Sequence, residues 1–581
     1  MKIKSLLIGM LACSALVACT NEDAPVNGEN NDGMKNFVTK ITLNFPDANN
    51  GSRAYDPSDP TFEDGVAAEY YVKDVTVKFY DANKNFLGEG TIGNWSNNAG
   101  ESVTRSADVT FRSVSQPYYA IAYVNDPTSS LASTMDAQNI AGLKTLTYTD
   151  TELPIATTAN LTNGFFMTNS SYKGTDGEIV QEVNVSGATM EVLGKETLET
   201  VKQSEEYEAL KAAEIYVERV VAKVDLAVDL SESSTNRAVV GQDGLYQLKY
   251  ADTNGQNQND YSDYAIKVVD WKLNATNKNF YALKNIEKGW ANNAWYGVGR
   301  SFWAIDNNYN SGTYLTDQNL EDLTAEQIEA LNLSLNYYKL SEINGGIGTA
   351  QYCYENTLVA NAINSAATHV VLKAQYFEKG SNNTWAPVGA DDYIYRINQK
   401  IYNAASIKAL IANVLISKYN FYANSEATTA MDAATLVNSI TLTVNAEDVD
   451  AIASISLADG VVAKTKAGVL FVPETGWTAQ FNGGKIIGYK GGYCYYTIPI
   501  KHFLTADEGE LGHYGVVRNH WYQLTVSSIA GFGEPGSNKP IIPEEQEELK
   551  DWVVKCNINI NAWAKVTQGN ITVGGGKDAW D

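Results

Sequence analysis

The sequence predicts an all-β protein with more than one domain, and three observations lead to this prediction. Short stretches of alternating apolar and polar residues recur along the chain, separated by turns rich in Gly, Asn, Asp and Ser. The 581 residues are too many for one compact core. Thirty-five tyrosines and only 13 prolines favour strands over disorder. The clearest alternating stretches are residues 75–79, 119–123, 220–228, 370–376 and 522–526.

Helical patterns are fewer and shorter than strand patterns. Thr324 opens one such stretch and Gln327 follows three residues later, which is a capping-box arrangement. Residues 406–419 have helical spacing, and the Glu-, Lys- and Ala-rich residues 194–214 are candidates for a surface helix. The predicted fold is therefore all-β with a few short helices.

The charge balance excludes two classes of partner. Lys and Arg number 43 and Asp and Glu number 68, which gives a formal net charge of −25. A surface of this sign repels nucleic acid and anionic membranes. We therefore expect no nucleic-acid partner.

The first residues predict export rather than fold. Lys2 and Lys4 precede a short apolar run that is too short to span a bilayer, so residues 1–18 are predicted to be a signal peptide. The run ends in Leu-Val-Ala-Cys, similar to a bacterial lipobox, which makes Cys19 the predicted lipidation site. The alternative is an ordinary signal peptide with an incidental cysteine. The polar residues after Cys19 have the composition of a flexible tether.

Metal sites, disulfides and catalytic motifs are not predicted. Cys353, Cys494 and Cys556 are odd in number and widely spaced, which favours core side chains. The histidines are His369, His502, His513 and His520, and the last three lie near Asp507, Glu508 and Glu510 without the spacing of a zinc protease. Residues 81–92 begin like a calcium loop, but Phe86 and Ile92 stand where glycine and glutamate are needed, so a hairpin turn is predicted. We expect no enzyme activity, no catalytic residue and no cofactor.

Two stretches near opposite ends of the chain have the same one-face apolar pattern. In the first, the residues on one face are Phe37, Ile41, Leu43 and Phe45. In the second, they are Trp552, Val554, Cys556, Ile558, Ile560 and Ala562. Each buried apolar side chain stabilises by roughly 1.5–3 kcal/mol, so four or five contribute an amount comparable to the stability of a domain.

Loss of the first strand would leave an apolar groove between two unpaired sheet edges. Such edges are templates for another strand, and the C-terminal strand of a neighbouring molecule is a candidate. The alternative, which spacing alone favours, is that the C-terminal strand folds back into its own domain.

A lone arginine follows the first strand in a stretch of turn residues. Cutting between Arg53 and Ala54 would release the lipid and the first strand together, and a protease needs an exposed, extended loop of this kind. The alternatives are an incidental surface arginine at this position and a competing exposed site at Arg237.

Together these stretches resemble the fimbrillins of type V pili, and most closely the branch of the minor-fimbria major subunit. The resemblance includes the lipobox, Asn-Gly-Ser-Arg-Ala at 50–54, residues 118–126, 215–226 and 270–283, and the C-terminal strand. Its most specific part is the pair of stretches 493–503 and 514–535. Residues 230–350 and 420–490 match weakly, which indicates insertions.

The resemblance implies two transthyretin-like β-sandwich domains in tandem and a mechanism. An arginine-specific protease would cut at Arg53–Ala54, remove the strand of Phe37, Ile41, Leu43 and Phe45, and leave a groove. The donor strand of an identical or related subunit would fill it, with Trp552, Val554, Cys556, Ile558 and Ile560 facing the core. The precursor would be an outer-membrane lipoprotein and the product part of an extracellular fimbrium that binds a host or bacterial surface ligand.

The predicted domains follow from these positions. They are a signal peptide at 1–18, a lipidated propeptide at 19–53, an N-terminal β-sandwich at 54–229, a C-terminal β-sandwich at 230–540 and a linker with donor strand at 541–581. A second hypothesis is a glycan-binding surface lipoprotein or a fimbrial tip adhesin. Its basis is the aromatic-rich stretch 288–303, for which core packing is the alternative.

Overall fold

The computed structural model describes most of the chain between residues 33 and 563. The described residues are 33–44, 62–63, 69, 71–92, 104–126, 139–144, 147–149, 164–173, 179–193, 196–231, 236–251, 257–286, 296–297, 300–301, 303–309, 334–358, 366–398, 400–445, 451–481, 483–502, 510–529, 532–542 and 554–563. Among the described residues strands far outnumber helices, so the all-β prediction with few helices is confirmed.

The strands follow one another closely along the chain. The first group is β1 (Lys35–Asn44), β2 (Phe62–Glu63), β3 (Val75–Tyr80), β4 (Phe86–Ile92), β5 (Thr104–Ser113), β6 (Tyr119–Val124), β7 (Thr147–Thr149), β8 (Met167–Asn169), β9 (Tyr172–Lys173), β10 (Ile179–Val180), β11 (Val183–Asn184), β12 (Thr189–Val192) and β13 (Ala213–Arg219). The second group is β14 (Val221–Val228), β15 (Asn236–Ala238), β16 (Leu245–Ala251), β17 (Asn257–Asn274), β18 (Thr276–Asn277), β19 (Asn279–Tyr281), β20 (Tyr296–Gly297), β21 (Arg300–Ser301), β22 (Leu335–Asn336), β23 (Gln351–Tyr354), β24 (Asn356–Thr357), β25 (His369–Lys379) and β26 (Trp385–Pro387). The third group is β27 (Tyr393–Ile397), β28 (Lys400–Asn403), β29 (Tyr419–Tyr422), β30 (Ile440–Val444), β31 (Ala453–Leu457), β32 (Val462–Thr465), β33 (Leu470–Phe471), β34 (Ile486–Lys490), β35 (Tyr493–Pro499), β36 (Gly515–Val516), β37 (His520–Ile529), β38 (Glu534–Pro535) and β39 (Val554–Trp563).

The helices are short except for one. In the described part of the chain the α-helices are Ile140–Leu143, Leu198–Val201, Glu205–Ala209, Ala404–Lys418, Ala433–Leu436 and Gly476–Gln480, and the 3-10 helices are Ser186–Ala188, Leu340–Glu342 and Val437–Ser439. The helix predicted at 406–419 is confirmed, and it starts at Ala404 because the side chain of Asn403 accepts from the backbone of Ser406. The stretch 194–214 forms two short helices and then enters β13, because Ser204 caps a second helix. Thr324 and Gln327 lie outside the described residues.

Most strands of the first group build an N-terminal sandwich. Its sheet runs in the order β12-β1-β13-β8-β6-β3-β4, with β5 paired to β1 and β11 to β6. Apolar side chains from β1 and β5 meet those of β3 and β6 in one buried cluster. The hairpin predicted at residues 81–92 is confirmed, since β3 pairs with β4 and the Asp81 carboxylate accepts from the backbone of Asn83 and Asn85.

A second sandwich is built from the later strands. One sheet has the order β2-β39-β37-β14-β23, and the other has the order β15-β16-β17-β25-β35-β38 with β26 beside β25. Their facing side chains form one core that includes Trp271, Leu372 and Tyr522. Cys353 and Cys494 are buried in this core, and no disulfide joins them, as predicted for core cysteines.

A separate small core lies within residues 393–486. The helix Ala404–Lys418 packs there against β27, β29, β30, β31 and β32, around Ile407, Ile411 and Leu415. Residues 420–490, where the sequence resemblance is weak, belong mostly to this region. The region therefore adds a small core between β26 and β35, and it joins the core of the second sandwich through Ile394, Ile401 and Tyr489.

The strand pairing changes from the first sandwich to the second within one stretch. Residues 215–228 alternate almost without a break, but β13 ends at Arg219 and β14 starts at Val221. Strand β13 pairs with β1 and β8, whereas β14 pairs with β37 and β23. The domain boundaries drawn at 53, 229 and 540 stay predictions.

Candidate functional site

The first strand is held on both edges. Strand β1 pairs with β5 in antiparallel register from Lys35 to Asn44. Its other edge pairs with β12 over its first half and with β13 over its second half. Because nearly every backbone group of β1 therefore faces a partner strand, its removal would leave two unpaired edges separated by one strand width.

The inner face of β1 supplies part of the N-terminal core. Phe37, Ile41 and Leu43 are at most 2% exposed. The Phe37 ring stacks on Phe111, with centroids 5.7 Å apart. Burial of three such side chains contributes roughly 5–9 kcal/mol before ordering costs. Phe45, the fourth residue predicted for this face, lies outside the described residues.

A buried hydroxyl pair also lies on the inner face. Thr39 is fully buried, and its Oγ1 lies 2.8 Å from Oγ1 of Thr189. Thr189 donates its own proton to the carbonyl of Val185 at 2.9 Å. Thr39 is therefore the donor in the pair, since one hydroxyl has a single proton to give.

The outer face of β1 lies under the two helices of 198–209. Val38 is fully buried with Val192, Val201 and Tyr207, and Met190, Leu198 and Leu210 pack against them. We call this cluster the Val38 pocket. The predicted surface segment thus covers the strand that would have to leave.

A charged cluster closes the outer face next to this pocket. Lys40 Nζ lies 4.2 Å from the centroid of the Tyr207 ring and 3.3 Å from the Tyr207 carbonyl oxygen. The Tyr207 hydroxyl donates to Asp108, which also pairs with Lys202 at 3.1 Å. Burial and the Asp108 acceptor raise the pKa of Tyr207, so the hydroxyl keeps its proton. Sequence reasoning did not find this cluster, because nothing in the sequence links residues 40, 108 and 207.

The C-terminal strand has a place within its own chain. Strand β39 pairs antiparallel with β37, with Ile558 opposite Leu524 and Ile560 opposite Tyr522. On the other edge of β39, the described residues provide a partner strand, β2, for Ala562 and Trp563 alone. In this structure β39 thus adds to the C-terminal sheet while β1 occupies the N-terminal one.

The segment before β39 is fixed at Ile541. Its carbonyl accepts from Nδ2 of Asn274 at 2.8 Å, its amide donates to the Tyr338 carbonyl at 2.8 Å, and its side chain is buried. Asn274 also contacts His369, whose pKa burial lowers to about 4. Twelve residues separate Ile541 from Val554, and a fully extended chain of that length spans at most about 40 Å.

A buried ion pair holds the stretch that follows the predicted cleavage site. The Glu69 carboxylate lies 2.9 Å from Nζ of Lys223 on β14 and accepts from the Tyr352 hydroxyl at 2.6 Å. The Glu69 carbonyl accepts from Nε of Arg219 at 2.7 Å. Glu69 is 1% exposed, and these contacts fix it to β13 of the first sandwich and to β14 and β23 of the second.

Several predicted site residues cannot be placed. Cys19, Arg53, Ala54 and Trp552 lie outside the described residues, and the backbone alone is described for Val554, Cys556, Ile558 and Ile560. Their predicted roles stay predictions. Arg237, the competing protease site, lies on β15 and donates to Gln247.

The aromatic stretch 288–303 offers one described tryptophan. Trp303 is fully buried and its ring lies 5.2 Å from that of His502. It therefore packs in the interior and cannot stack on a surface glycan.

The histidines are part of the second sandwich. His502, His513 and His520 are at most 6% exposed, and Nδ1 of His502 lies 2.7 Å from the Tyr522 hydroxyl. Within the described residues no group of three or more His, Cys, Asp and Glu side chains could hold a metal ion. None of the described helices combines the length and apolar content needed to cross a membrane.

The end of the second sandwich matches a known family. Residues 488–569 match the C-terminal region of the major fimbrial subunit protein type IV, fimbrillin. Over this range the chain is similar to the C-terminal region of fimbrillins. The match includes β35, β37 and β39, where the sequence resemblance was most specific, so the predicted resemblance to fimbrillins is confirmed. The assignment to the minor-fimbria branch stays a prediction.

Solved structures of fimbrial proteins also align with this chain. The fimbrilin FimA of Porphyromonas gingivalis is 11% identical, with 91% of this chain and 99% of that chain covered and a TM-score of 0.33. The tip fimbrial protein Mfa3 of the same species, with a C-terminal truncation, is 10% identical, with 90% and 100% covered and a TM-score of 0.29. A fimbrial assembly protein of Parabacteroides distasonis is 11% identical, with 61% and 86% covered and a TM-score of 0.27. At such scores these likenesses carry no inference about function.

No curated protein matches the sequence. The family match supports a role as a fimbrial subunit that assembles with related proteins in an extracellular fimbria. It also favours a structural protein over an enzyme.

Proposed function

We propose that this protein is a fimbrial shaft subunit that polymerises by donor-strand exchange after proteolysis at Arg53. An arginine-specific protease removes residues 19–53 and with them β1 and the lipid on Cys19. The C-terminal strand of another copy then enters the vacated groove. Repetition of this step at the outer membrane builds the fimbrium, which presents its surface ligand-binding sites to a host or to other bacteria.

One observation carries the proposal: β1 is a central strand with both edges paired and Phe37, Ile41 and Leu43 buried. A strand in this position cannot be lost without a replacement, because its buried side chains contribute an amount comparable to the stability of a domain, about 5–15 kcal/mol. The groove left behind has the length, the apolar floor and the two unpaired edges that select another strand.

The pairing of β39 within its own chain explains why its transfer to the groove of another copy is favourable. On β37 it has one paired edge along its length, and its other edge has β2 as the only partner in the described part of the chain, at Ala562 and Trp563. In the groove a strand of the same length would pair with β5 on one side and with β12 and β13 on the other. The exchange therefore gains backbone hydrogen bonds, each worth about 0.5–1.5 kcal/mol net.

The test is to follow processing and assembly of the purified precursor. We expect an arginine-specific protease to produce a new N-terminus at Ala54 and, after it, ladders of subunits that resist SDS. The Arg53→Ala precursor should stay monomeric under the same treatment, and Arg237→Ala is the matched control that should still assemble. Normal ladders from Arg53→Ala, or a processed wild-type subunit that stays monomeric, would overturn the proposal.

A further inference from the structure

We propose that residues 552–559 of a second copy replace β1 position by position, with Trp552 where Phe37 lies and Lys555 where Lys40 lies. The inference rests on the donor-strand exchange proposed above and adds its register. Residues 37–44 are Phe-Val-Thr-Lys-Ile-Thr-Leu-Asn, and residues 552–559 are Trp-Val-Val-Lys-Cys-Asn-Ile-Asn. Aligned without a gap, the two segments have valine, lysine and asparagine at the same three places.

Alternation alone does not fix this register, since a shift by two residues keeps the same face inward. The Val38 pocket discriminates between the possibilities. In the proposed register Val553 enters the pocket, which is fully closed to solvent around Val38. A shift that puts Val554 at the place of Phe37 would place the Lys555 side chain in the same apolar pocket, and burying an unpaired charge is costly. The opposite shift would put Lys550 where Phe37 fills the core.

The charged cluster beside the pocket accepts a lysine. Lys40 lies over the Tyr207 ring and directly opposite Asp108 in the β1–β5 register. Lys555 falls at this place in the proposed register, so the incoming strand restores the cation over the ring and beside the acidic residue. The contacts of this one lysine with the cluster then favour a single register of the donor strand.

The inner face tolerates the differences between the two segments. Val554 would replace Thr39 and would remove one buried donor. Thr189 keeps its own proton on the Val185 carbonyl, so no buried donor loses its acceptor. Trp552 is larger than Phe37 and Cys556 is smaller than Ile41, so the floor of the groove is filled by a similar total volume.

The test uses one copy that can only accept a strand and one that can only donate. The acceptor keeps Arg53, so that the protease can cut it, and its chain ends at Asp551. The donor carries Arg53→Ala, so it is not cut and keeps β1. The two copies are mixed before the arginine-specific protease is added. The acceptor also carries Ser106→Cys, because Ser106 lies opposite Thr42 with their hydroxyl oxygens 2.9 Å apart.

Donors in a Cys556→Ala background then each carry one introduced cysteine, and the native Cys353 and Cys494 stay buried in the core. Asn557→Cys reaches the place of Thr42 in the proposed register, whereas Asn559→Cys and Lys555→Cys reach it only after a shift by two. We expect a heterodimer with every donor, and a disulfide with Ser106→Cys for Asn557→Cys alone. A disulfide from Asn559→Cys or Lys555→Cys instead would overturn the register while leaving strand exchange intact. Absence of any heterodimer would overturn strand exchange, and the register with it.

A second variant tests the lysine without cysteine chemistry. Lys555→Glu places an acidic group against Asp108, and we expect the yield of heterodimer to fall roughly tenfold, as a loss of one favourable contact of this kind implies. Lys565→Glu makes the same charge change outside the matched segment and should assemble like the unmodified donor. Equal yields for the two variants would overturn the proposed role of Lys555.

Discussion

The rings of Phe37 and Phe111 stack 5.7 Å apart, and Phe111 stacks in turn on Phe79 at 3.9 Å. The three rings come from β1, β5 and β3, so the strand proposed to leave supplies the first member of a stack that crosses the N-terminal core. Such aromatic pairs add about 0.5–1.5 kcal/mol beyond their buried area. The stability of the precursor should therefore depend strongly on this one side chain.

Replacing Phe37 by alanine should destabilise the precursor. The change opens a cavity in the core and removes the stack, and we expect a loss of about 3–5 kcal/mol in the free energy of unfolding. Urea denaturation of the uncleaved protein, followed by tryptophan fluorescence, measures this loss. Val240→Ala is a matched control, because Val240 is 99% exposed and its truncation removes no packing. Equal midpoints for the two variants would contradict the role assigned to Phe37.

The buried pair of Glu69 and Lys223 gives a second prediction. Lys223→Met leaves the Glu69 carboxylate buried without its cation, and we expect a loss of about 3–5 kcal/mol. Glu69→Gln combined with Lys223→Met should recover much of this loss, because no buried carboxylate is then left without its cation. A double-mutant cycle from urea denaturation measures the coupling. Additive effects of the two substitutions would argue against the pair as an anchor of the stretch beyond Ala54.

Stability should fall in acid through His369. Nδ1 of His369 faces the Ala367 carbonyl at 2.8 Å and must donate, so Nε2 accepts from Nδ2 of Asn274 at 3.0 Å. Burial lowers the pKa of His369 to about 4, below the value of about 6.5 expected in the unfolded chain. A lowered folded pKa means that the contribution is fully present above pH 6.5 and is lost as the pH falls towards 4.

The expected loss across this window is about 2–3 kcal/mol. Denaturation midpoints of the wild type and His369→Gln, measured between pH 7 and pH 4.5, test it. The wild type should lose more stability than the variant over that range. Parallel curves for the two proteins would show that His369 is not the titrating group.

The alternation of side chains predicted much of the fold. Residues 75–79, 119–123, 370–376 and 522–526 all lie in strands, because one face of each is buried and a period of two then identifies it. The break at Val220 could not be predicted, since the pattern of 215–228 continues through the point where the chain passes from one sheet to another. Pairing between strands is a long-range property that local spacing does not encode.

The candidate site was predicted only in part. The alternation of apolar and polar residues predicted that Phe37, Ile41 and Leu43 share one buried face, and all three are buried in the structure. The contacts of the outer face could not be predicted from the sequence, because Lys40, Asp108 and Tyr207 are far apart in the chain. Each of them has the residue type expected on an ordinary polar surface. Only the register of β1 with β5 and the position of the helices at 198–209 bring them together.

A subunit that lacks the C-terminal strand should terminate chains. A copy that ends at Asp551 has a groove after cleavage at Arg53 but no strand to donate, so a polymer that has added it at the donating end cannot extend further. Mixed with the intact subunit in equal amounts before proteolysis, it should shorten the SDS-resistant ladders, because each addition of a truncated copy leaves an end without a donor strand. Gel electrophoresis of the mixture gives the length distribution. The same truncation with Arg53→Ala is the control, since it has neither a groove nor a donor strand and should leave the ladders unchanged. Ladders of normal length with the cleavable truncated copy would mean that chain growth uses some contact other than the C-terminal strand.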